Sequence, residues 1–389
     1  MKDVEASLRE ELEQLKYQSA YRDLHVQEST GGHITVGGQA WLNFSSNDYL
    51  ELSSHPTVLG RAHEYLERFG AGATASRLVA GDLPCHEELE SRLAIDKGYE
   101  HALLFGSGFL TNVGVITALV GRNDEVFADR LVHASILDAI RLSGARLQRF
   151  QHNDVDHLAF LLGKPSSGRR LVVTESLFSM DGDLAPLEDI TMLAERAGAL
   201  CMVDEAHATG TFGPHGRGLV AELGLQGRVQ LAVGTLSKAL GGYGGYVACS
   251  ETMRSYLINR SRPFIYSTGL PPAAVGAALG ALDELEAHPE WPSELQARAS
   301  ELREGLRTHG IDTLSSQSQI VPVVAGENET ALAWSEAMRE VQILSTAIRP
   351  PTVPEGQSRL RLSITRAHSK ADIDRLIDCI AHLHSGALV

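Results

Sequence analysis

Between about residues 56 and 285, short apolar runs alternate with longer stretches whose apolar positions recur at helical spacing. The short runs are Ala102–Phe105, Glu125–Ala128, Leu171–Thr174, Leu200–Val203, Leu231–Gly234 and Gly245–Cys249. Each predicts a short strand, and near-continuous apolar character suits a strand covered on both faces. Amphipathic stretches such as Leu187–Ala197 lie between most of them and predict helices. The alternation predicts an α/β domain with a largely parallel sheet and helices on both faces. Ligands of such sheets bind in the loops beyond the carboxyl ends of the strands.

The pattern changes at both ends. Met1 to Lys16 is acidic and helix-like, unlike a signal peptide. Gly31 to Gly38 has two glycine turns flanking an alternating run, which predicts a hairpin. Asn43 to Leu50 is polar and turn-rich, a connection or a site wall. From 286 onward a helix-strand-helix pattern predicts a smaller C-terminal α/β lobe. The expected division is therefore 1–50, 51–285 and 286–389, since 389 residues are too many for one small core.

Composition adds exclusions. The net charge of −15 argues against nucleic acid or an anionic membrane as partner, though a local arginine cluster still suits an anionic small substrate. No apolar run reaches the ~18 residues of a spanning helix. Cys85, Cys201, Cys249 and Cys379 are scattered and form no C-x-x-C pair, which fits a reduced, cytoplasmic protein.

The chemistry-bearing residues fall in the loops after strands. Lys238, in Thr235-Leu236-Ser237-Lys238-Ala239-Leu240-Gly241-Gly242, has no charged neighbour between Ala232 and Ser250. A lysine in a dry pocket sheds its proton more readily, and a neutral amine forms a Schiff base with an aldehyde. The glycines let backbone approach a bulky ligand. An ordinary strand-to-loop lysine is the competing reading. In Asp204-Glu205-Ala206-His207 a buried strand ends in an acid, with a histidine three positions later. A carboxylate there needs a cationic or proton-donating partner, and a protonated pyridine nitrogen is one. The same letters match a helicase Walker B box, but that box needs a G-x-x-x-x-G-K-[ST] loop upstream, which the chain lacks. As metal ligands, Asp204 and His207 have only poor third and fourth candidates, so no metal is expected. Gly106 to Asn112 opens a helix whose N–H groups suit a phosphate. His133 is a surface or core residue, or a flat ring against an aromatic cofactor. Glu175 to Asp183 is a polar loop too long for a simple turn.

Asp204-x-x-His207 and Thr235-x-x-Lys238, with Gly108-Phe109, His133 and Ser179 upstream, resemble the fold-type I enzymes that use pyridoxal 5′-phosphate. More narrowly, from about Ser45 to His368 the chain is similar to the α-oxoamine synthases, which condense an amino acid with an acyl-CoA and release CO2. Asn43–Leu50, His152-Asn153-Asp154, Phe178–Asp183 and Ala347–Pro354 look most like the biotin-biosynthesis branch, which joins L-alanine to pimeloyl-CoA or a pimeloyl-carrier protein. Gly70 to Arg77 has fewer glycines than the family pattern, which bears on acyl-chain preference.

The resemblance implies a PLP-dependent acyltransferase whose large domain has a mostly parallel mixed sheet flanked by helices. It assigns Lys238 to holding the cofactor and removing the α-proton, and Asp204 to keeping the ring nitrogen protonated. His133 stacks on the ring and His207 bonds its 3′-oxygen. Gly108, Phe109, Ser179 and Thr235 complete the cofactor site. Ser267 and Thr268 reach the phosphate of a neighbouring subunit's cofactor, which implies a homodimer with shared sites. Arg361, with Arg349 nearby, takes the amino-acid carboxylate, since a planar guanidinium suits that anion. Arg359 shares a strand face with Arg361, which could also be a solvated face. Arg22, Asn47 and Thr352 line the acyl-CoA entry. Pro350, Pro351 and Pro354 stiffen the loop carrying Arg349 and Thr352. Two rivals stand beside this reading. One keeps the chemistry but takes glycine with acetyl- or succinyl-CoA, or serine with palmitoyl-CoA. The other is a non-catalytic scaffold, against which intact Lys238, Asp204 and His133 speak.

Overall fold

The structure is a computed structural model and describes residues 4–24 and 26–386. In chain order its strands are β1 (His33–Val36), β2 (Gln39–Asn43), β3 (His101–Phe105), β4 (Glu125–Asp129), β5 (Arg146–Phe150), β6 (Arg170–Glu175) and β7 (Leu200–Asp204). They continue with β8 (Leu231–Thr235), β9 (Gly245–Cys249), β10 (Ile320–Gly326), β11 (Ile343–Leu344), β12 (Thr346–Ile348) and β13 (Ser358–Ser363). Two compact units are present. One comprises Asp48–Ser179 and Asp183–Gln296; the other comprises Met1–Asn47, Met180–Gly182 and Ala297–Val389.

The larger unit holds a seven-stranded sheet in the order β3-β9-β8-β7-β6-β4-β5. β9 is antiparallel to both neighbours, and β8, β7, β6, β4 and β5 run parallel. Each of the six short apolar runs named from the sequence is one of these strands. Along β7, Cys201 and Val203 enter one core with Val172, Ala232 and Ala248. Met202 enters the other with Leu171, Val173, Val233 and Val247. Successive side chains of a strand point to opposite faces, and both faces here are covered, so nearly every position is apolar. β5 went unpredicted. Its sequence, Arg-Leu-Gln-Arg-Phe, lies at the sheet edge and keeps Arg146 and Arg149 exposed. A half-open edge strand needs no continuous apolar run.

The carboxyl ends of β4, β6, β7 and β8 are Asp129, Glu175, Asp204 and Thr235, all buried. Polar groups collected at one edge beneath covered strands must find partners there. β9 enters at the same edge beneath the start of the helix Gly108–Leu119. A Cβ on Gly245 would lie 2.6 Å from the Gly108 nitrogen, so only glycine fits.

In the smaller unit, β1 and β2 form the expected hairpin through Gly37 and Gly38, both at positive φ. Two positive-φ residues make the tight turn that suits strand twist. β2 also pairs in parallel with β11, so the N-terminal and C-terminal segments share a sheet. β13 lies between β10 and β12 and is buried at every position. Its arginines therefore do not form a solvated face. The expected N-terminal helix spans Val4–Tyr17, and the first three residues lie outside those described. Cys85, Cys201 and Cys249 are buried free thiols. Among the described residues no helix is long and apolar enough to cross a membrane.

Candidate active site

Lys238 follows β8 and is half-buried. Its Nζ lies 2.8 Å from His207 Nε2, in the turn after β7. The other ring nitrogen of His207, Nδ1, lies 2.7 Å from the hydroxyl of Tyr49, which is fully buried. The Thr211 hydroxyl donates to the His207 carbonyl at 2.7 Å and fixes the turn. A histidine bonded at both nitrogens keeps its ring plane. The amine, the imidazole and the phenol thus form one line.

Asp204 ends β7 beside this line. Its Oδ1 accepts the Ala206 N–H at 2.9 Å and its Oδ2 accepts from Asn112 Nδ2 at 2.8 Å. Those bonds leave lone pairs for a further donor. Glu175 ends the adjacent strand β6 in register with Asp204. Burial first, and then the Asp204 charge, push its carboxyl up to about 8. Glu175 Oε1 accepts the backbone N–H of His133 at 2.6 Å. His133 begins the helix Ala134–Ser143, keeps an exposed side, and has Nδ1 2.8 Å from Ser135 Oγ. Desolvation of the shielded part of the ring holds it below the ordinary histidine value, and the nearby Lys238 charge acts in the same direction.

The helix Gly108–Leu119 opens at the same edge, its first turn capped by Ser107, whose side chain accepts the Leu110 N–H. Gly108 faces Thr235, where a Cβ would meet the threonine at 3.5 Å. The Thr235 hydroxyl donates to the Gly244 carbonyl at 2.9 Å and lies 2.8 Å from Ser237 Oγ. Phe109 is exposed. Ser179 is half-buried in the loop after β6, which is closed by the Phe178 N–H to the Asp183 carbonyl at 3.0 Å. His152 secures that loop: Nδ1 donates to Asp129 at 3.0 Å and Nε2 to Asp183 at 2.8 Å. Burial opposes charge on this ring, but the two carboxylates outweigh it and raise it to about 10. His152 thus ties the turn leading to His133 to the end of the Ser179 loop. Ser267 and Thr268 line a cavity with Arg77, Phe105 and Gly106.

The smaller unit carries the arginines. Arg361 is buried on β13, with Nη1 donating to Ser363 Oγ at 2.8 Å and Nη2 to Asn47 Oδ1 at 3.2 Å. Arg359 is ion-paired with Asp181 and donates to the Gln357 carbonyl at 3.0 Å. Arg349 donates to the carbonyls of Ser19 and Tyr21. Burial and then the Arg22 charge hold its guanidinium below the ordinary value. Thr352 is exposed, and its N–H donates to the Arg349 carbonyl at 3.1 Å.

The structure joins Lys238, His207, Asp204 and His133 to residues the sequence reading did not single out: Tyr49, Asn112, Ser135 and Glu175. Asn112 had a signal, as the one amide in a helix of otherwise mostly apolar residues. Glu175 had the same signal as Asp204, an acid ending an apolar strand. The residues fit pyridoxal phosphate. An amine stands beside a carboxylate with acceptor capacity to spare, next to a capped helix start, and the buried Oδ1 of Asn112 has no partner. Among the described residues no group of three or more His, Cys, Asp or Glu side chains could hold a metal ion.

The family model for aminotransferase class I and II matches residues 39–380. An 8-amino-7-oxononanoate synthase from Anaeromyxobacter dehalogenans is 48% identical over 372 residues, covering 95% of this chain and 94% of the relative. A serine palmitoyltransferase variant from S. paucimobilis, solved with PLP and myriocin bound, superposes with a TM-score of 0.92 at 32% identity, covering 98% of this chain and 97% of that one. An 8-amino-7-oxononanoate synthase from Francisella tularensis superposes with a TM-score of 0.78 at 27% identity, covering 90% and 99%.

Proposed function

The chain belongs to the aminotransferase class I and II family, and from that premise we propose that it acts as an 8-amino-7-oxononanoate synthase. It is a PLP-dependent enzyme that joins L-alanine to pimeloyl-CoA, or to a pimeloyl-carrier protein, in cytoplasmic biotin synthesis. The observation behind this reading is the Lys238 amine, 2.8 Å from His207, at the sheet edge where Asp204 accepts two hydrogen bonds. The substrate pair rests on the 48% identical relative.

When bound, the cofactor supplies an electron sink for the α-carbon of the amino acid. Lys238 would hold its aldehyde carbon, and the Lys238 Nζ takes the α-proton of alanine as general base. Asp204 holds a proton at the ring nitrogen. His133 would cover the ring and exclude water, and His207, turned by Tyr49, would help hold the cofactor at its 3′-oxygen. Gly108, Phe109, Ser179 and Thr235 complete the cofactor site, with Ser267 and Thr268 contributed by the second copy of a homodimer. Arg361, with Arg349 nearby, takes the alanine carboxylate, and Arg22, Asn47 and Thr352 receive the acyl thioester. Residues 51–285 act as the cofactor-binding domain, with 1–50 as an N-terminal helix and hairpin segment and 286–389 as a C-terminal domain. In the net reaction the alanine α-carbon bonds to the acyl carbonyl, the thioester C–S bond breaks, and the thiol leaves. The alanine carboxyl departs as CO2, and a proton takes its place.

Serine with palmitoyl-CoA is the alternative favoured by the structural neighbour, at 32% identity against 48%. Borohydride reduction of the purified yellow protein, followed by peptide mapping, tests the base of the reading. The cofactor should be fixed to Lys238 alone, and Lys238→Ala should lose both attachment and turnover. Label on another lysine would remove Lys238 from the mechanism.

A further inference from the structure

A line of side chains that no step above uses runs from Asp204 to His133. Asn112 lies on the helix Gly108–Leu119 and Ser135 in the first turn of the helix Ala134–Ser143, and both are buried. Asn112 Nδ2 is 2.8 Å from Asp204 Oδ2 and 2.9 Å from Ser135 Oγ. Ser135 Oγ is 2.8 Å from His133 Nδ1.

Counting hydrogens fixes the direction of each bond. Carboxylate oxygens only accept, so the Asn112 atom facing Asp204 is its NH2. One of its two hydrogens goes to Asp204 and the other to Ser135 Oγ. That oxygen, already accepting, has a single hydrogen to give, and His133 Nδ1 is the acceptor within reach. The Ser135 backbone N–H also points at Nδ1, at 3.2 Å. Two donors converge on Nδ1, so it carries no hydrogen and the ring proton sits on Nε2. We propose that Asn112 and Ser135 are positioning residues that lock His133 as the neutral, Nε2-protonated tautomer and couple it to Asp204.

The charged groups around the ring are consistent with this. Asp204 and Asp138 favour a second proton on His133, while desolvation and Lys238 oppose it, and opposition prevails. Glu175 engages the backbone N–H of His133, not the ring. The locked tautomer leaves Nε2–H as the donor that the ring offers a bound substrate. A ring free to exchange tautomers would spend part of its time without a donor there.

The proposal rests on His133 being an active-site ring, and its test reads a proton position rather than turnover. NMR of the PLP-loaded protein carrying ¹⁵N-labelled histidine, with His133→Asn for assignment, should show Nε2 protonated and Nδ1 bare above the ring's titration. Ser135→Ala removes the hydroxyl donor and should raise the titration midpoint of His133 by about one pH unit, tenfold in proton affinity, the worth of one hydrogen bond. Asn112→Leu lets the Ser135 hydroxyl turn away and should move the midpoint the same way, should Ser135→Ala fail to fold. A hydrogen on Nδ1 in the wild type overturns the proposal, as do variants that titrate like the wild type. Failure to turn over alanine and pimeloyl-CoA with the NMR result intact would sink the substrate reading alone.

Discussion

Replacing His152 with glutamine should cost stability in a way that fades as pH rises. The ring donates to Asp129 at 3.0 Å and to Asp183 at 2.8 Å. These partners carry it from the ordinary 6.5 to about 10, against the burial that opposes its charge. A group raised on folding stabilises fully below its unfolded value and loses that contribution as pH climbs through its folded value. The window here opens above about pH 6.5 and closes near pH 10. A tenfold gain in proton affinity is worth about 1.4 kcal/mol. At about pH 7 the upper limit is therefore about 4 kcal/mol, and screening brings it nearer 2 kcal/mol. Screening matters because the side chain keeps 23% exposure. Urea unfolding of wild type and His152→Gln, repeated at intervals from about pH 7 to about pH 10, measures the difference directly. Groups common to both proteins cancel. The wild-type margin should be about 2–4 kcal/mol at the low end and shrink steadily toward the high end. A margin independent of pH would refute the idea that a charged His152 clamps the two carboxylates.

Asp204→Asn should retain the cofactor yet lose turnover by about 10²–10⁴-fold, because an amide cannot hold the ring-nitrogen proton; near-normal kcat/KM would dismiss the role. Lys238→Ala chains mixed with chains carrying Ser267→Ala and Thr268→Ala should regain activity, up to one intact site per heterodimer. Heterodimers without recovery would mean that each chain builds its own site. Arg361→Ala should raise KM for alanine far more than for the thioester, and an equal effect on both would move the carboxylate contact elsewhere.

The strands of the large sheet were legible because burial on both faces leaves a continuous apolar run. β5 was not, since an edge strand with Arg146 and Arg149 exposed has no such run. Lys238, Asp204 and His207 were legible as chemical groups at strand ends, but their wiring was not. His207 meets Tyr49, and Asn112 meets Asp204, across 158 and 92 residues of chain. Contacts that distant leave no periodicity to read. Alternation along β13 put Arg359 and Arg361 on one face, yet could not reveal that the strand is buried or that Arg359 is taken by Asp181. The Arg349 guanidinium contacts the Ser19 and Tyr21 carbonyls, far away along the chain, which no local pattern carries. The β2–β11 pairing that joins the two ends of the chain is likewise non-local.

Product identification tests the proposed reaction most directly. The PLP-loaded protein would be mixed with L-alanine and pimeloyl-CoA, and the products resolved by mass spectrometry. The expected product is 8-amino-7-oxononanoate, with free CoA and CO2 released in equal amounts, and alanine preferred to glycine or serine. No carbon–carbon product from this pair would contradict the assignment, as would glycine with acetyl-CoA or serine with palmitoyl-CoA reacting about tenfold better in kcat/KM, a preference of about 1.4 kcal/mol at the transition state.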